Sequence, residues 1–115
     1  MGTELVNIHY QSFTGAVAIA EALAPGAKFR LLRIEIHLSA APTTSQSLTI
    51  TLDAGLGAAY DTLLYTNDLS VTSVTDLVVE FGEGYEYEAN DEVDIAYTNT
   101  DVRTISGRYA YELPK

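Results

Sequence analysis

Alternation of apolar and polar side chains is what most limits the folds open to this chain. Leu32, Ile34, Ile36 and Leu38 alternate with Arg33, Glu35, His37 and Ser39, and Leu48, Ile50 and Leu52 alternate with Thr49, Thr51 and Asp53. Val93, Ile95 and Tyr97 repeat the pattern against Asp94, Ala96 and Thr98. A last run sets Ile105, Gly107, Tyr109, Tyr111 and Leu113 against Ser106, Arg108, Ala110 and Glu112. Successive side chains of an extended strand point to opposite faces, so a sustained period of two describes a strand with one face buried. A helix would need its apolar positions three and four residues apart, and these runs do not supply them.

Weaker strand signals fill the gaps. Glu4 to Phe13 places Val6, Ile8 and Tyr10 on one side, with His9 out of phase. Asp61 to Leu69 and Thr75 to Phe81 read as further strands. "AVAIAEAL" (Ala16 to Leu23) holds good helix formers. Gly15 before it and Pro25-Gly26 after it confine it to about two helical turns, below an average helix, and it is expected to be a strand. "AAPTTSQ", with Pro42, is a loop, and Asn90-Asp91 makes a tight turn. Gly55 and Gly57 in "DAGLGAAYD" suit a bend between strands. They lack the third glycine, the Lys-Ser/Thr pair and the following helix of a phosphate-binding loop.

Many short strands punctuated by turn signals imply an all-β sandwich or barrel. With 115 residues and no linker or composition break, one domain over 1–115 is expected, residues 1–14 serving as an N-terminal arm or edge strand. The expected architecture is an all-β single-domain β-sandwich, an eight-stranded jelly roll, with an immunoglobulin-like sandwich as the alternative. There is no cysteine, which excludes disulfides and thiolate metal sites. No apolar run reaches the ~20 residues of a membrane-spanning helix. The start, "MGTELVNIHY", lacks a basic segment followed by an apolar one, so no secretory signal is expected.

Charge is unevenly placed. The formal net charge is −10, and between Ile34 and Val102 there are thirteen Asp and Glu but no Lys or Arg. The basic residues are Lys28, Arg30 and Arg33, then Arg103, Arg108 and Lys115. Binding a phosphate backbone requires clustered positive charge, so no nucleic-acid partner is expected, and no membrane partner either. The acidic stretch is either a solvated surface or one that pairs with basic residues of a neighbouring subunit.

Candidate chemistry is sparse. His9 and His37 lie on expected strands without a nucleophile motif beside them, and both read as polar surface residues. Glu86 and Glu88 share a face, and "DEVD" (Asp91 to Asp94) is the densest acidic run. Calcium would be the natural guest of such carboxylates, but the D-x-D-x-D-G spacing is missing, and a solvated face is preferred. No catalytic residue, cofactor or metal is expected. Tyr85 with Tyr87, and Tyr109 with Tyr111, form i, i+2 pairs that suit either sheet packing or a protein-binding face. A carbohydrate platform ranks third, since such sites favour Trp and the chain has none.

The segments "EIHLSAAPTTSQSLTITLDAGLGAAYDTLLYTNDLS" and "NDEVDIAYTNTDVRTISGRYAYEL" resemble a recurring pattern of small virion proteins of tailed bacteriophages, over roughly Arg30 to Leu113. That resemblance implies a structural role without catalysis, as a head decoration (cement) protein or a tail, neck or baseplate part. The expected partners are the major capsid protein and further copies of the chain, a homotrimer being favoured, on the exterior of the virion. The expected capsid-attachment residues are Glu4, Val6, Ile8, Tyr10, Lys28 and Arg30. The expected subunit-interface residues are Arg103, Arg108, Tyr109 and Tyr111. A sugar- or receptor-binding module is the remaining alternative.

Overall fold

The alternating runs become strands in a computed structural model that describes residues 8–113. The order is β1 (Ile8–Gly15), β2 (Ile19–Leu23), β3 (Phe29–Leu38), β4 (Ser47–Asp53), β5 (Thr62–Asp68), β6 (Asp76–Tyr87), β7 (Glu92–Tyr97) and β8 (Ile105–Glu112). A single 3-10 turn, Ala58–Tyr60, interrupts the β4–β5 connection. The ambiguous Ala-rich segment is extended, as its Gly and Pro-Gly borders demand.

Pairing follows one scheme. β1 pairs with β8, β2 with β7, β3 with β6 and β4 with β5, all antiparallel, as in a ribbon folded back at the β4–β5 turn. Two further ladders, β3 with β8 and β4 with β7, join the ribbon side by side. The result is two four-stranded sheets, β1-β8-β3-β6 and β2-β7-β4-β5, packed as a β-sandwich.

The core fills the space between the sheets. Ile34, Ile36 and Leu38 of β3, beside Ile105 and Tyr109 of β8 in the same sheet, share the core with Leu48 and Ile50 of β4 and Val93 and Ile95 of β7 from the other sheet. One inward position differs from the sequence pattern. Leu31 and Arg33 pair with the adjacent Tyr111 and Ala110 of β8, so Leu32 is the extra residue of a β-bulge in that ladder, while at the same point the β6 ladder steps from Tyr85 to Glu80 with the excess on β6. Phe29 and Leu31 are buried while Leu32 is half-buried. A bulge inverts the facing of every residue beyond it, and period-two reading cannot detect it when two leucines are adjacent.

Tyr109 corrects an expectation. Placed by the sequence at a subunit interface, it is 0% exposed. Its ring packs edge-on to Phe13, with centroids 6.1 Å apart, and its hydroxyl donates to the carbonyl of Val93 at 3.1 Å. It therefore bolts one sheet to the other from inside and presents nothing to a neighbour. Gly107 makes room for this packing: a Cβ there would lie 2.7 Å from the Phe13 ring and closer still to the Glu35 carbonyl oxygen. Gln11 closes one open side, its amide donating to the Ala22 carbonyl at 2.8 Å across from β1 to β2.

The strand order gathers the connections at two ends. The β1–β2, β3–β4, β5–β6 and β7–β8 loops meet at one end, joined by hydrogen bonds among them. The β2–β3, β4–β5 and β6–β7 connections occupy the other, where Gly55 donates to Asp91 at 2.9 Å.

Candidate functional site

The outer face of the β1-β8-β3-β6 sheet collects most of the positive charge. β3 contributes Arg30 and Arg33, β8 contributes Arg108, and Lys28 sits just before β3. The two basic stretches, far apart in sequence, become neighbours because β3 pairs with β8, placing Glu35 opposite Arg108. Glu35 accepts from Arg33 at 2.7 Å and from Arg108 at 3.0 Å. The hydrogen bond from Arg33, and next that from Arg108, hold its carboxyl below the usual range. Arg108 also lies over the ring of Tyr10, 4.1 Å from its centroid. Further along, Glu86 pairs with Lys28 and Arg30, both at 3.4 Å, and Arg30 approaches Glu112 at 4.0 Å.

An open groove of about 710 Å³ runs over this face. Every residue lining it belongs to the four strands of this sheet. Its walls offer two paired edges, His37 with Asp76 at 2.7 Å and Arg108 with Glu35, and hydroxyls from Ser12, Thr14 and Ser106. Asp76, His37 and Ser106 stand in register across β6, β3 and β8. His37 is the largest cause lowering the Asp76 pKa. The side chains of His37 and Asp76 are 60% and 74% exposed, so this pair is solvated rather than held in the dry surroundings that activate a nucleophile. The groove thus offers closely paired hydrogen-bond donors and acceptors.

The opposite sheet carries an acidic cluster that the sequence grouped differently. Oxygens of Asp53, Glu92 and Asp94 all lie within 4.8 Å of one another. Oδ1 of Asp94 is buried without a hydrogen-bond partner. Burial, then the hydrogen bond and charge of Glu92, push the Asp94 carboxyl up to about 7, with Asp53 and Asp61 adding to it. The other acidic candidates are occupied elsewhere. Glu86 pairs with Lys28 and Arg30, and Asp91 accepts backbone bonds from Gly55 and Glu88, both at 2.9 Å.

The remaining candidates separate as follows. Glu4 and Val6 lie outside the described residues. Ile8 and Tyr10 are exposed, because Phe13, and not the Ile8–Tyr10 series, is the buried residue of edge strand β1. Their end of β1 pairs with the end of β8, which in turn pairs with the start of β3, so Ile8, Tyr10 and Arg30 share one region. Arg103 is remote from them, its guanidinium donating to the Ala41 carbonyl at 3.0 Å. Tyr111 is half-buried in a string of aromatic contacts, Phe81–Tyr85–Tyr87–Phe29–Tyr111–His9, with centroid spacings of 5.2 to 6.5 Å. Sequence reading missed Glu35 as a hub and Asn99 and Asp101 as loop anchors. The Asn99-Thr100-Asp101 run did carry the signal, since Asn and Asp favour turns.

Fold and faces together define an all-β sandwich with a polar groove on one sheet and an acidic cluster on the other. Comparison with protein-family models and with curated proteins finds no match to this chain.

Proposed function

We propose that this chain is a non-enzymatic structural protein of a phage particle, a head decoration protein that binds the assembled capsid as a homo-oligomer, a trimer being favoured. The observation that supports this is how the charged groups are used. The described arginines and Lys28 all bond within the protomer, which leaves exposed aliphatic and aromatic side chains free for contact with another protein. The resemblance over Arg30 to Leu113 supports the same reading. So does the pairing of all eight strands as one rolled ribbon, which fits jelly-roll connectivity. Binding only the assembled state of the major capsid protein would stabilise that state by mass action, and several weak contacts per oligomer would add through avidity. The protein would then reside on the virion exterior.

Co-sedimentation tests this reading: purified protein is mixed with expanded capsids, procapsids and isolated tails, and bound copies are counted. Copies in the hundreds on expanded capsids alone support decoration. Binding to tails or to a single vertex moves the role to a tail, neck or baseplate part.

The groove over His37, Asp76, Arg108 and Glu35 favours a second reading, a glycan-binding module. Paired donor and acceptor edges with three hydroxyls suit a neutral polyol. Silence across a glycan array would remove it.

A further inference from the structure

The end of the sandwich where four loops meet displays three valines. Val17 in the β1–β2 loop is 71% exposed, Val71 in the β5–β6 loop 77%, and Val102 in the β7–β8 loop 61%. Exposed single aliphatics are ordinary on a protein surface. These three differ because hydrogen bonds hold the backbone at, or directly beside, each of them. The Val17 carbonyl accepts from the Asn99 amide at 3.0 Å, and the Val102 amide donates to the Asn99 carbonyl at 3.0 Å. Beside Val71, the Ser70 amide and hydroxyl donate to the Asp68 carboxylate at 3.0 and 2.8 Å.

The anchors are themselves locked together. Asp101 accepts from the amides of Thr43 and Thr44 at 2.7 and 2.8 Å and from the Thr44 hydroxyl at 2.7 Å, tying β7–β8 to β3–β4. Ser45 donates to Asp68, extending the chain of bonds to β5–β6. Asn99 also bonds the amide and carbonyl of Arg103, at 3.0 and 2.9 Å. The loop end is therefore rigid before any partner arrives, and little ordering cost remains for binding.

Val102 adds a second, independent sign. Its φ is 54°, in the left-handed region, where a β-branched residue is a genuine outlier. Glycine or asparagine would occupy that conformation more comfortably. A strained backbone that holds an apolar side chain out in water points to a use for that side chain.

Charge identifies the partner. The four connections, 16–18, 39–46, 69–75 and 98–104, carry only Asp101 and Arg103, which cancel and are both spent on internal bonds. The opposite connections carry Lys28 against Asp61, Glu88 and Asp91; the adjoining strand ends add Asp53 and Glu92 there, and Asp68 and Asp76 at the first end. In a chain of net charge −10, a second copy meets less repulsion at this end than at the opposite one. Residues beside a rotation axis meet their own copies, and an aliphatic patch is its own complement where a charged one is not. The molecule measures 46 × 40 × 21 Å, so an end face has room for the ~800 Å² per partner of a specific interface. We infer that the β1–β2, β3–β4, β5–β6 and β7–β8 loop end is the contact between copies of this chain, with Val102 near its middle and Val17 and Val71 toward its two edges. This inference does not depend on a virion role.

Sedimentation velocity of the full chain, over a range of protein and salt concentrations, tests it. The expected result is an oligomer that tightens with added salt, because salt screens the like charges while leaving apolar contacts in place. Val102→Asp should raise the dissociation constant roughly tenfold or more, as for charging an interface centre, and Val71→Asp should raise it by less. Leu63→Asp, on β5 and away from these loops, should leave it unchanged. Val102→Asn suits the left-handed conformation, so it should melt no lower than the parent and still weaken association. A chain monomeric at every concentration would overturn the inference, as would an oligomer indifferent to both valine substitutions or dissolved by Leu63→Asp.

Discussion

Arg108 donates to the carboxylate of Glu35 at 3.0 Å, across the β8–β3 ladder. The contact explains the odd charge layout of the sequence. Glu35 begins the long acidic stretch, yet its neighbours in space are basic residues from both ends of it, Arg33 and Arg108. The three side chains are 30 to 42% exposed, so the network is worth little more than an ordinary surface pair. Glu35→Gln should lower stability by ~1 kcal/mol in denaturant titration at pH 7. The Glu35 carboxyl is held below its usual value, so its contribution is present above the unfolded pKa and fades as pH falls through the folded one. The gap between parent and Glu35→Gln should therefore close on acidification below about pH 4.

Gly107→Ala should cost more than its small size suggests. The added methyl would meet the Glu35 carbonyl oxygen and the Phe13 ring, and the first is backbone held in two ladders. Overpacking of this kind costs about 1–3 kcal/mol. The melting temperature should drop by roughly 4–8 °C for each kcal/mol lost. A Gly107→Ala protein that melts with the parent would show that β3 and β8 can shift apart at this point.

Much of this fold was legible as alternation. Val93–Tyr97 and Leu48–Ile50 face the core as their period of two requires, and the borders of the Ala-rich segment decided it as a strand. Leu32 was illegible because a bulge is a property of the ladder, written in the partner strands as much as in β3 itself. Tyr109 was misplaced for a related reason. Tyrosine serves both interfaces and cores, and only the carbonyl waiting on the other sheet makes full burial affordable. Of the candidate site, sequence showed which side chains could act and not which meet. Asp53 joins Glu92 and Asp94 only because β4 pairs with β7.

That acidic meeting has a pH signature. Asp94 holds its proton up to about pH 7 in the folded chain, whereas an unfolded aspartate releases it near 3.8. Folding stability from this group is thus fully present at acidic pH and is lost as pH rises through about 7. Thermal melts between pH 5 and pH 8 should show the protein more stable at pH 5. Asp94→Asn removes the charge and should raise stability at pH 8 by ~2 kcal/mol, flattening the profile. A parent profile rising from pH 5 to pH 8 would contradict this assignment.

Asp101 should show the opposite dependence, and it separates loop rigidity from core stability. The Thr44 hydroxyl, then the amides of Thr44 and Thr43, draw its carboxyl down to about 2. Its contribution is present above the unfolded value of 3.8 and disappears as pH falls from there toward 2. Asp101→Ala leaves the Thr43 and Thr44 amides without their acceptor. Their hydrogen exchange should speed at neutral pH, while amides of the central strands β3 and β8 stay protected until global unfolding. The same substitution leaves Val17, Val71 and Val102 in place but frees the loops that present them, so it should weaken self-association without removing an aliphatic contact. If exchange at Thr43 and Thr44 is unchanged, the loop end is held by the Asn99 and Asp68 bonds alone, and Asp101 is not the anchor that its geometry describes.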